Sequence, residues 1–286
     1  MHIIDVIRSR RPAFSLEFFP PKSKEEIPLL YQTLNDIRAL DPAFVSVTYG
    51  AGGGTRDKTM QIVQQAKSEI GLEAAAHLTC IGNSRSEIKQ ILDELVHSGI
   101  ENVVALRGDR PIGLQTTSNP DGFQYAAELT AFIRKSYPLC IAVAGYPEGH
   151  TESPSKETDW AHLEEKVNAG ADIIITQLFY DNHYFYDFER HMRDRGVRVP
   201  IIPGIMPITN FQQLLRITRF CGASIPYKVM ADLQAVQTEP ELVQRYGIEY
   251  ARKQCRDLLA HGVPGIHFYT LNKSKPTQAI ISSLKA

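Results

Sequence analysis

The sequence has no paired cysteines, no long apolar run and almost no net charge, and each absence removes a class of protein. Its four cysteines, Cys80, Cys140, Cys221 and Cys255, stand singly. Without a CxxC pair neither a zinc ribbon nor a thioredoxin-like motif has support, and the thiols are read as free in a reducing compartment. His77, His150 and His267 lack HxH or HxxxH partners, so no metal site is expected. Thirty-one basic residues against 32 acidic ones leave a formal charge of -1, which argues against nucleic acid or an anionic membrane as partner. No apolar stretch approaches the length that spans a bilayer. The opening MHIIDVIRSRRPAF reverses the basic-then-apolar order of a secretory signal, so the chain is read as cytoplasmic.

What remains is 286 residues, 43% hydrophobic and 22% charged, ordinary for a folded chain and enough to bury a large core. Eight apolar runs of strand length recur: Phe14–Phe19, Phe44–Thr48, Ala74–Thr79, Asn102–Arg107, Cys140–Gly145, Asp172–Leu178, Pro200–Gly204 and Gly265–Thr270. Most are continuous rather than alternating, as in parallel strands buried on both faces. Between them lie stretches of helical periodicity: Lys24–Leu40, Thr59–Ile70, Arg85–His97, Tyr125–Ser136, Asp159–Ala169, His183–Arg195, Phe211–Phe220 and Glu239–His261. Ser84 and Asn210 stand where N-caps belong, and Gly71, Gly99, Gly170 and Gly196 where helices end. Strict βα alternation predicts an α/β chain, a single-domain (β/α)8 barrel over residues 1–286. A two-domain dinucleotide-binding fold is the alternative. The run Tyr49–Thr55 tempts that reading, but Thr55 replaces the last glycine of G-x-G-x-x-G.

Barrel chemistry gathers at the C-terminal ends of the strands. Those ends carry Glu17, Thr48, His77, Arg107 with Asp109, Tyr146, Gln177, and Tyr269 with Lys273. Glu17 lies in Leu16-Glu17-Phe18-Phe19-Pro20-Pro21, where a carboxylate is costly unless paired or protonated. It either faces solvent or an arginine, or is a general acid with a raised pKa. Leu106-Arg107-Gly108-Asp109 reads as a turn held by an Arg–Asp pair or as a clasp on a ligand. His150, Asp159 and Lys166 surround the next loop and helix.

In their order along the chain, Ser15–Pro21, Phe44–Gly50, His77–Cys80, Ala105–Asp109, Tyr146–Glu148, Ile175–Gln177, Pro203–Ile205 and His267–Asn272 resemble the bacterial methylenetetrahydrofolate reductases, over Ile7 to Leu284. The resemblance implies a TIM-barrel flavoprotein that reduces 5,10-methylenetetrahydrofolate to 5-methyltetrahydrofolate by a ping-pong scheme, with NADH or NADPH as donor, and that assembles as a homo-oligomer. It implies Glu17 as general acid and Asp109 beside the pterin. It implies FAD held by Thr48, Tyr49, Ala51, His77, Arg107, Gly108, Asp109, Ala126, Tyr146, His150, Asp159 and Lys166, and substrate held by Gln177, Gln213 and Lys273. Three positions depart from familiar bacterial members: Lys273 for an arginine, Ile217 for a stacking aromatic, and Ser153 for an alanine. The chain stops after the barrel, so the adenosylmethionine inhibition of eukaryotic relatives is not expected.

Overall fold

The computed structural model describes residues 1–21, 23, 25–49, 56–109 and 119–285, with the Arg56 side chain left out. Among these residues every strand pairs parallel to its neighbours. The strands are β1 (Ala13–Phe18), β2 (Phe44–Val47), β3 (Ala74–Thr79), β4 (Asn102–Leu106), β5 (Cys140–Gly145), β6 (Ile173–Thr176), β7 (Ile201–Ile202), β8 (Gly204–Ile205) and β9 (Gly265–Tyr269). The sheet runs β7-β6-β5-β4-β3-β2-β1-β9-β8. Because β7 and β8 are consecutive halves of one strand, that order closes on itself and makes a (β/α)8 barrel. The seventh strand, expected unbroken over Pro200–Gly204, is split at Pro203. The first half pairs with β6 and the second with β9. Proline has no N–H to continue a ladder.

The helices are α1 (Ile3–Ser9), α2 (Ile27–Arg38), α3 (Arg56–Gln65), α4 (Arg85–His97), α5 (Ala126–Ser136), α6 (Lys156–Asn168), α7 (Asn182–Asp194), α8 (Phe211–Cys221), α9 (Tyr227–Ala235), α10 (Pro240–His261) and α11 (Ser274–Lys285). A π-helical turn, Ala66–Ile70, extends α3. Ser84 caps α4 in a reciprocal box with Glu87, and Asn210 accepts from the Gln213 N–H to cap α8. Gly71, Gly99, Gly170 and Gly196 all have positive φ, as helix ends require. Helices α1, α9 and α11 were not among the expected elements.

Alternation along the strands sorts the apolar side chains into two layers. Phe14, Leu16 and Phe18 pack outward with Leu30, Leu34 and Ile37 of α2. The opposite parity, including Ala13, Phe44, Ala75, Cys140 and Ile173, forms a separate inner cluster with Ile3, Ile4, Val6 and Ile7 of α1. Helix α1 therefore plugs the N-terminal end of the barrel, fixed by the Ile3 N–H donating to Asn102 Oδ1 at 2.8 Å. The same inward parity continues upward through Glu17, Thr48, His77, Gln177 and Tyr269, so it delivers polar side chains to the opposite mouth.

Candidate active site

Glu17 lies next to the last residue of β1, its side chain 19% exposed. Its Oε2 is 3.2 Å from His77 Nε2 on β3 and 3.5 Å from His267 Nε2 on β9. On the other edge of the fully buried His267 ring, Nδ1 lies 2.8 Å from Ser15 Oγ. A carboxylate can only accept, so His267 Nε2 carries the hydrogen that faces it, while Nδ1 pairs with the Ser15 hydroxyl. Phe44 stacks on this ring at 5.8 Å and Tyr269 meets it edge-on at 5.4 Å. Burial pushes the Glu17 carboxyl up, but the two imidazoles together pull harder and hold it at about 2. The expected raised pKa is thereby corrected: the partners are histidines, and two N–H groups favour the charged form.

Sequence reasoning gave Ser15 and His267 no role. The available signal was parity, since Ser15 precedes Glu17 by two residues and shares its face, and His267 is its Cα partner across the ladder.

The wall made by β4, β5 and α6 holds a second cluster. Lys166 Nζ donates to the Ala144 carbonyl at 2.5 Å. Burial pulls this amine down to about 8, although Asp159 opposes the shift. Burial also pushes Asp159 up, and Ser153 Oγ donates to it at 3.4 Å. His150 packs edge-on against Tyr146 at 4.8 Å; burial and then the Arg107 charge lower its pKa. Among the described residues no ion pair joins Arg107 to Asp109. Arg107 instead reaches Glu152 at 2.8 Å and its own neighbour's carbonyl, Gly108 O, at 3.1 Å. Asp109 is exposed at the rim, where its charge raises the Tyr146 pKa after burial has done most of the work. Gly108 takes φ +90°, and a Cβ there would lie 2.7 Å from Ile81.

The Gln177 N–H donates to Gly145 O at 2.7 Å. Its side-chain oxygen accepts from the Leu178 N–H at 2.8 Å, leaving the amide NH2 as donor. Thr48 N–H donates to Phe18 O, and Tyr49 follows it half-buried. Lys273 is exposed; its N–H donates to Thr270 O, and the Thr270 hydroxyl donates to the Glu17 carbonyl. Ala126 is buried at the start of α5 and Gln213 sits in the first turn of α8. Among the described residues no hydrogen bond or ion pair joins those two to the clusters. Ala51, with the rest of the glycine-rich run, lies outside the described residues.

Fold and site together define the class: a (β/α)8-barrel protein whose ionisable side chains converge at the C-terminal ends of the strands. The family model described as methylenetetrahydrofolate reductase matches residues 2–285, and the chain belongs to that family. Methylenetetrahydrofolate reductase (NADH) 1 of Arabidopsis thaliana is 39% identical over 300 residues, covering 99% of this chain and 51% of the plant protein. The 5,10-methylenetetrahydrofolate reductase of Pectobacterium carotovorum subsp. carotovorum is 38% identical over 270 residues, covering 94% of this chain and 89% of that protein. The chain thus spans about half the length of the plant relatives it matches and nearly all of the bacterial one. A solved Clostridium thermocellum protein, described as binding two copies of 5-methyl-5,6,7,8-tetrahydrofolic acid, superimposes with a TM-score of 0.67 at 16% identity, covering 97% of this chain and 96% of that one. At that identity the likeness establishes the fold alone.

Proposed function

We propose that residues 1–286 form one catalytic barrel that binds FAD and reduces 5,10-methylenetetrahydrofolate to 5-methyltetrahydrofolate, with NADH or NADPH as donor and the two substrates using one mouth in turn. The observation that carries this reading is Glu17, an acid held between His77 and His267 at the top of the barrel. The side chains of the β4–α6 wall suit a flavin dinucleotide. Arg107 and Lys166 supply cations, Asp159, His150 and Ser153 supply hydrogen-bonding groups, and the buried Lys166 ammonium has donors beyond the one used on Ala144. Thr48, Tyr49, Ala51, His77, Gly108, Asp109, Ala126 and Tyr146 complete the proposed set. When bound, FAD supplies the two-electron carrier between nicotinamide and folate.

The chain's own residues then handle the proton and the fit. Opening the methylene bridge requires a proton on the departing folate nitrogen, and Glu17 is the residue to deliver it. At rest Glu17 is ionised, so it must first take up that proton. A folate covering the mouth strips the remaining solvent from the carboxyl and favours its neutral form. Ser15 and His267 hold the carboxyl in place and fix which nitrogen faces it. Asp109 places negative charge at the rim, where it favours cationic folate species. Gln177 offers its NH2 to either substrate, and Gln213 and Lys273 reach the outer part of the folate. Lys273 keeps the charge of an arginine without its bidentate fork. Among the described residues no helix is long and apolar enough to cross a membrane. The test is anaerobic. The purified yellow protein should bleach with NADH and recover its colour with methylenetetrahydrofolate. A colourless protein, or one that never recovers, refutes the reading.

A further inference from the structure

The seam between β6 and β8 is not zipped as a parallel ladder. The register sets Ile174 opposite Ile201 and Ile175 opposite Ile202, with the Ile174 N–H donating to Pro200 O. Two residues on, the same pattern calls for the Gly204 N–H to donate to Thr176 O. It donates instead to the Thr176 hydroxyl at 2.9 Å. The vacated carbonyl accepts from Tyr269 Oη, 2.7 Å away, on β9. Only glycine leaves room for this insertion. A Cβ at Gly204 would lie 2.2 Å from Thr176 O, 2.6 Å from the Tyr269 ring and 2.9 Å from its hydroxyl.

The peptide so gripped is the one that joins Thr176 to Gln177. Its carbonyl is held by Tyr269, and its N–H donates to Gly145 O at 2.7 Å. With both ends of the plane fixed, the direction in which the Gln177 side chain leaves the strand is fixed as well. The same tyrosine ring meets His267 edge-on at 5.4 Å, and His267 faces Glu17. We propose that Tyr269 is a positioning residue: a wedge in the barrel seam that aims Gln177 into the mouth while buttressing the His267 ring.

This inference rests on the proposed role of Gln177 in binding substrate, and Tyr269→Phe tests it. Phenylalanine keeps the ring against His267 and removes only the hydroxyl. Flavin content and kcat should stay within about twofold, while KM for folate and for NADH rises about five- to tenfold, the scale of one lost hydrogen bond. The Tyr269→Phe/Gln177→Ala double variant should match Gln177→Ala alone, because residues acting as one unit are not additive. Hydrogen exchange at the Gln177 and Gly204 amides should change in Tyr269→Phe, with strands β2 and β3 unaffected. Unaltered exchange at both amides overturns the wedge whether or not the chain reduces folate. Unaltered KM, or full additivity with Gln177→Ala, overturns its role in aiming Gln177. A wild-type chain inert toward folate with altered exchange in the variant refutes the function while leaving the wedge supported.

Discussion

The two ends of the barrel interior are built from the same strands at the same parity, yet they differ in chemistry. At the N-terminal end, Ala13, Ala75 and Cys140 meet Ile3 and Ile7 of α1, all 4% exposed or less. These side chains carry no charge, and their burial is favourable; the polar groups at this end, Asn102 and Glu73, are hydrogen-bonded to each other and to the start of α1. Two to four residues further along, the interior holds Glu17, His77, His267 and Tyr269, and nearby the buried amine of Lys166. Each of these groups has its charge or hydrogen-bonding capacity perturbed or committed. The plug's stability comes from apolar burial and is independent of pH, whereas the mouth's depends on the ionisation of its groups. The lesson is a division of labour along a strand: packing at one end allows costly polar groups at the other.

Substitutions can break that contrast. The largest effect is expected at the mouth: Glu17→Gln should slow folate reduction by about 10²–10⁴-fold while nicotinamide still bleaches the flavin. Stopped-flow measurement of each half-reaction checks this, and an undiminished folate half-reaction contradicts it. At the plug, Ile7→Ala should cost about 2–5 kcal/mol in denaturant unfolding and leave both KM values alone. A plug mutation that altered KM instead would erase the distinction between the two ends.

Acid sharpens the comparison. The Glu17 carboxyl is lowered from 4.5 to about 2 in the fold. Its contribution is complete above pH 4.5, falls as the pH drops towards about 2, and amounts to about 3 kcal/mol. Glu17→Gln should flatten that part of the stability profile, and Ile7→Ala should leave its shape unchanged. The smallest effect is expected at Lys166, whose amine is lowered from 10.5 to about 8. A group lowered in this way is a base that the fold disfavours in its charged form, so the penalty is full below pH 8 and gone above 10.5. At neutral pH, Lys166→Met should therefore stabilise the flavin-free chain, by roughly 1–2 kcal/mol after the lost Ala144 bond is discounted. It should also weaken flavin retention, and thermal melts with and without FAD read both.

Much of this is legible in the sequence. The runs at Ala74–Thr79 and Cys140–Gly145 and the helix Arg85–His97 coincide with the observed elements residue for residue, because apolar periodicity and the Ser84 cap are local signals. The broken seventh strand was not legible. Pro203 was visible, but its effect depends on Tyr269 reaching in from 66 positions away. Nor was the low pKa of Glu17, since burial alone suggests the opposite sign.

The order and spacing of apolar runs determine the barrel, because each βα unit can bury its faces only against the next. They also put Glu17, His77 and Gln177 at strand ends, because strand length and parity are properties of the local chain. Closure decided the rest. It brought Ser15, His267 and Glu17 into one line, turned Arg107 to Glu152 and set Tyr269 into the seam. Hydrogen bonds and charges act over a few ångströms of space, and only the folded ring makes neighbours of residues 250 positions apart.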